Sequence, residues 1–154
     1  ALDSQLASAY VNRSLVTPIP ALIMQINSTA QSANTVLASN RFTPDTFIAL
    51  SNFSKSLPLY EKQLDKILNV ATNADKSVNK ALMPPLTSLH SAVGAFKNAI
   101  DEKLLEPDDI LLTQSEFTKL TNNVHSSINQ LVSKSLRALL RQNYKLNSGH
   151  EILF

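Results

Sequence analysis

The chain has 154 residues, no cysteine, two glycines and a net charge of +2. That length supports one domain whose core needs no staple, and the missing thiol excludes disulfides and cysteine chemistry. Scarce glycine argues against phosphate-cradling loops and tight hairpins, the charge is too small to argue for nucleic acid, and no apolar run approaches the roughly 18 residues of a membrane span.

Residues 1–16 predict a short helix with Leu2, Leu6, Ala9 and Arg13 on one line and Tyr10 and Val11 beside it. Thr17-Pro18-Ile19-Pro20 then breaks the chain and starts a second helix, because proline is tolerated in a first turn where its missing N–H would have no partner. The stripe of that helix is Ile19, Leu22, Ile26, Ala30, Ala33 and Leu37. Its second half is small, so it either packs close to a neighbour or leaves room.

The stretch Thr43–Thr72 carries the strongest pattern. Leu50, Phe53, Leu57, Tyr60, Leu64, Ile67 and Ala71 recur at alternating steps of three and four, which places them on one helical stripe. Thr43 is placed to cap, Pro44 suits the first helical position, and Asp45 suits the positive end of the dipole. Phe42 and Phe47 are spaced as a hydrophobic staple. Pro58 predicts a kink, and with it an inward swing of the neighbouring Leu59.

Asp75 predicts the cap of one short segment ending near Met83, where Pro84-Pro85 disfavours helix and resets the chain. The next stripe is Leu82, Leu86, Leu89, Val93, Phe96, Ile100 and Leu104, and Glu106-Pro107-Asp108-Asp109 ends it. Gly94 lies on this helix, for close approach or for no reason of packing. Thr113-Gln114-Ser115-Glu116 has the form of a capping box, with Leu112 and Phe117 as its staple. The last stripe is Phe117, Leu120 or Thr121, Val124, Ile128, Leu131, Ser135 and Ala138. Residues 142–154 have no apolar period and predict a tail, disordered or folded back; an exposed strip of Leu59 with the terminal Ile152-Leu153-Phe154 would offer itself to a partner. No segment alternates as a strand does. The fold class is therefore all-α, an up-and-down bundle of four long helices plus a shorter N-terminal helix, in one domain over 1–141.

Chemical motifs are sparse. His90, His125 and His150 do not form the spaced pair of a zinc site, and Glu106, Asp108 and Asp109 lack the spacing of a calcium loop. No strained serine turn of an acyl-transfer enzyme is present, so no catalytic residue, metal or cofactor is assigned. The run Lys134, Arg137, Arg141 and Lys145 reads as dipole compensation, with phosphates or anionic lipid heads as the alternative. Charged residues make up 17 %, below the usual share of about 25 %. That composition, the sequons at Asn12, Asn27 and Asn52, and a first residue Ala1 suit a secreted or cell-wall protein after signal cleavage.

Large apolar residues facing the small half of the second helix are able to leave an elongated apolar cavity, and helix bundles place pockets there. Its walls would be Ile26, Ala30, Phe53, Leu57, Tyr60, Leu64, Leu89, Val93, Phe96 and Leu131, with the Tyr60 hydroxyl near a head group. The blocks Thr43–Leu68 and Lys80–Leu104, with Thr43-Pro44-Asp45, Leu57-Pro58 and the Leu86, Leu89, Phe96, Ile100 run, resemble the fungal hydrophobic-surface-binding protein A family of cell-wall galactomannoproteins. The resemblance spans about residues 20–135. It implies a secreted, cysteine-poor bundle, with a fatty acid in a central tunnel in some members. Plant invertase and pectin-methylesterase inhibitors are bundles of similar size, but their defining disulfides have no counterpart here. Two functions follow: a non-enzymatic bundle that binds a long-chain lipid or fatty acid between its helices, or a packed bundle that binds a partner protein as an adaptor, inhibitor or secreted effector.

Overall fold

A computed structural model describes residues 2–152 of the chain, and side-chain surroundings as far as Tyr144. Five α-helices follow one another: α1 (Leu2–Val16), α2 (Pro18–Ser39), α3 (Pro44–Ala74), α4 (Lys76–Ile100) and α5 (Gln114–Ile152). No strand occurs among the described residues. The fold is an all-α bundle.

α1 and α2 form one broken rod. The Thr17 amide still reaches the Arg13 carbonyl and the Ala21 amide the Thr17 carbonyl, so the hydrogen-bond ladder continues past the prolines. The rod lies beside α3 and α5, and α4 packs on α3 and α5 diagonally across from it. The connections after α2, α3 and α4 reverse the chain, so the rod, α3, α4 and α5 alternate in direction. Ser4 and Gln142 both meet Asp75 at one end, and Asn27 meets His125 further along, which orients α5 against the first rod.

The helix starts follow their sequence signals. Thr43 and Thr46 bond reciprocally as a capping box, and Phe42 meets Phe47 edge-on at 5.4 Å as the staple. Thr113 accepts from the Glu116 amide, but the Glu116 side chain reaches Lys103 instead of turning back, so that box is half-formed. Asn40, not a glycine, takes the left-handed position that ends α2.

The expected stripes of α2, α4 and α5 are largely the buried ones, including Leu22, Ile26, Leu89, Phe96, Val124 and Leu131. In α3 the buried line is Leu50, Ser54, Leu57, Leu64, Leu68 and Ala71, with Phe53, Tyr60 and Ile67 half-buried. The seven-residue spacing is kept from Leu50 to Ala71, and the flank covered beside that line is the Ser54–Leu68 side, with the Phe53–Tyr60–Ile67 side only half-covered.

Three expectations are corrected. In α1 the buried residues are Ala7, Val11 and Ser14, whereas Leu2 is 82 % exposed and Leu6 44 %. Ala7, Val11 and Ser14 form the face of α1 that packs on α3 and α5, with Tyr10 and Leu15 half-buried at its edges. Leu59 stays exposed and does not swing in beside Pro58. Pro84-Pro85 does not reset the chain: α4 runs unbroken from Lys76, capped by Asp75 through the Ser77 and Val78 amides. Pro85 is buried on the same helix as Leu82, Leu86 and Leu89, and that apolar burial offsets the two lost backbone hydrogen bonds.

α4 ends in a single π-helical turn, Asp101–Leu105, which keeps Leu104 buried. The Lys103 carbonyl then accepts from Leu111 and Leu112, drawing the loop back to α5. α5 continues past Arg141 to Ile152, through part of the stretch that lacks an apolar period, and Gln142 is buried on it. The side chains of His150 and of the terminal Ile152-Leu153-Phe154 lie outside the described residues.

Candidate functional site

Nine of the ten expected cavity walls are brought together, but as core. Ile26, Leu57, Leu64, Leu89, Val93, Phe96 and Leu131 are fully or almost fully buried in one apolar cluster, with Ala30 at its edge. Tyr60 packs on that cluster from a half-buried position, and Phe53 is half-buried, its carbonyl accepting from Gln25 at 3.2 Å. Phe96 stacks on Phe117 with ring centres 5.3 Å apart. None of the ten lines any of the main clefts of the described surface. The small residues Ala30 and Ala33 of α2 line none either, so they serve close packing.

The clefts lie on the outside. One of about 410 Å³ sits between α1 and α3, floored by Ile67 and Val70 and edged by Tyr10, Arg13 and Lys66. The Arg13 guanidinium lies 5.6 Å over the Tyr10 ring there. A second, of about 400 Å³, runs along the α4–α5 seam between Pro84, Ser88, Gln130, Lys134 and Arg137. A third, of about 320 Å³, continues along that seam, shares Lys134 and Arg137, and adds Lys80 and Arg141.

Two polar clusters cross-link helices. His90 of α4 bonds through both ring nitrogens to α3, to Glu61 through Nδ1 and to Asp65 through Nε2, the latter at 2.6 Å. The Glu61 hydrogen bond, then the Asp65 bond and both carboxylate charges, push the imidazole up to about 9 against the opposing effect of burial. With each nitrogen donating to a carboxylate, no lone pair is left for a metal. No group of His, Cys, Asp and Glu suited to a metal occurs among the described residues. Glu61 and Asp65 sit four apart on one face of α3 and His90 is distant in sequence, so no local pattern announces the trio.

In the second cluster Ser54 donates to Asp101 at 2.5 Å, and Lys97 donates to Ser54 at 3.3 Å and to Asp101 at 2.6 Å. A serine beside a lysine invites comparison with a nucleophile and its base. Here the serine proton is directed at a carboxylate, the lysine is the other donor in an ion pair, and Ser54 is 1 % exposed. The cluster is a tie between α3 and the end of α4.

Two buried hydroxyls, Ser8 Oγ on α1 and Ser135 Oγ on α5, have no hydrogen-bond partner. No family model, no curated protein and no solved structure matches the chain.

Proposed function

We propose that the protein is a non-enzymatic helical bundle that binds through its outer faces, with an interior that serves as structure. The observation that carries this reading is the fate of the ten expected cavity walls: eight are buried against one another and none borders a main cleft of the described residues. A ligand between the helices would have to part a filled core. The polar clusters of α3 and α4 are engaged in cross-links, which supports a reading without catalysis. The sequon asparagines Asn12, Asn27 and Asn52 are all exposed, which favours a secreted adaptor, inhibitor or effector.

The fatty-acid reading, and the fungal hydrophobic-surface-binding resemblance that suggests it, draws support from one place. Ser8 and Ser135 bury unpaired hydroxyls on α1 and α5, two helices that pack together, and the fully buried side chains of α1 are no larger than Val11. A chain that enters by displacing α1 would find polar groups waiting. Titration with a fluorescent fatty acid tests the choice. Surface binding predicts no saturable signal, or one that Leu89→Trp leaves unchanged. Saturable binding that Leu89→Trp abolishes, in a variant that keeps its helical circular dichroism, would overturn it in favour of a ligand in the core.

A further inference from the structure

We infer that the α4–α5 seam is a docking face for an anionic lipid surface. Lys134, Arg137 and Arg141 recur on one line of α5, and Lys80 joins them from α4 across a shared cleft. All four are exposed, and among the described residues none is in an ion pair. Dipole compensation does not account for them. α5 runs on to Ile152, which leaves Arg141 about three turns short of the helix end, and the dipole acts only within the last turn.

A neighbouring line of the same helix is apolar and equally open. Leu136 is 49 % exposed, Leu140 69 % and Tyr144 74 %, each four residues from the next. Leucines and a tyrosine beside arginines are what an interfacial helix presents: cations meet head-group phosphates, and apolar tips enter the acyl boundary. A soluble polyanion would use the cations and ignore the leucines. An acidic protein segment would need no phosphate layer and no extended plane. No helix among the described residues is long and apolar enough to cross the membrane, so contact would stay at the surface.

This assignment rests on the surface-binding reading above and gives the partner a chemical class. Cosedimentation of the full chain with vesicles of phosphatidylcholine, and with equimolar phosphatidylcholine and phosphatidylglycerol, tests it. Binding is expected to the mixed vesicles only, weakening with salt. The double variant Arg137→Gln, Arg141→Gln is expected to lose about fivefold in partition for each cation removed. Leu136→Ser with Leu140→Ser is expected to lose about tenfold while keeping its charge. All these positions are exposed, and unchanged helical circular dichroism will confirm the fold of both variants. Absent or equal binding to the two vesicle types overturns the proposal. So does a leucine variant that binds like the wild type, which would mark a plain polyanion site. Neither outcome alters the fatty-acid titration, so failure here and failure of the surface-binding reading are told apart.

Discussion

Gln142 donates a 3.0 Å hydrogen bond to Asp75 across the end of the bundle. Asp75 is the N-cap of α4, and the same carboxylate also accepts from Ser4 of α1 and from the Ser77 hydroxyl and amide. One side chain thus joins the first rod, the α3–α4 turn and α5. The Ser77 hydroxyl foremost, then the Val78 and Ser77 amides and Gln142, hold its carboxyl well below the usual range although burial pulls the other way.

Asp75→Ala should therefore cost about 2 kcal/mol of unfolding free energy, the upper part of the range for a lost N-cap. The effect depends on pH. The folded carboxyl is harder to protonate than the unfolded one, so its stabilisation is complete above about pH 4 and is lost as pH falls further. Urea unfolding of both proteins at neutral pH and near pH 2 should show the gap narrowing in acid. A gap that stays constant would contradict the ionised-cap account.

His90 runs in the opposite sense. Its pKa is raised to about 9 in the fold, so the protonated imidazole stabilises the bundle fully below about pH 6.5 and ceases to do so as pH rises through about 9. Because the side chain is 33 % exposed, the full shift is discounted to on the order of 1–2 kcal/mol. His90→Gln should be less stable than the wild type at pH 6 and nearly equal to it at pH 10. Denaturation midpoints across that window check the claim; parallel curves would count against the Glu61–His90–Asp65 bridge.

Gly94 has nothing within 4 Å of where a Cβ would lie, and its φ is not positive. Neither close approach nor backbone geometry requires a glycine. Gly94→Ala should raise stability by about 0.5–1 kcal/mol through a less flexible unfolded chain and better helix propensity. A destabilised variant would mean that α4 approaches a neighbour more closely here than the structure shows.

The bundle was legible because its signals are local and repeated. Leu50, Leu57 and Leu64 mark a buried line wherever the partner helix lies, and Thr43 and Asp75 announce helix starts within four residues. What escaped depends on distant neighbours. Leu2 and Leu6 look like a core line until α3 and α5 select the Ala7–Val11–Ser14 face of α1. Pro84-Pro85 looks like a break until burial of Pro85 holds the helix together. Ala30 and Ala33 fit a cavity or a close contact equally well, because residue size does not give the distance between helices. The Lys134–Arg141 run is visible in the chain, but Lys80 across the seam and the continuation of α5 to Ile152 are not.

The filled interior is the claim on which the functional account stands, and Phe96 is where to test it. Phe96 is fully buried and stacked on Phe117. Equilibrium urea unfolding of Phe96→Ala, measured beside the wild type without added ligand, should show a loss of about 3–5 kcal/mol, as for a large side chain removed from a close-packed core. A loss under about 1 kcal/mol would mean that the ring already borders empty space, and would contradict a bundle that acts through its outer faces alone.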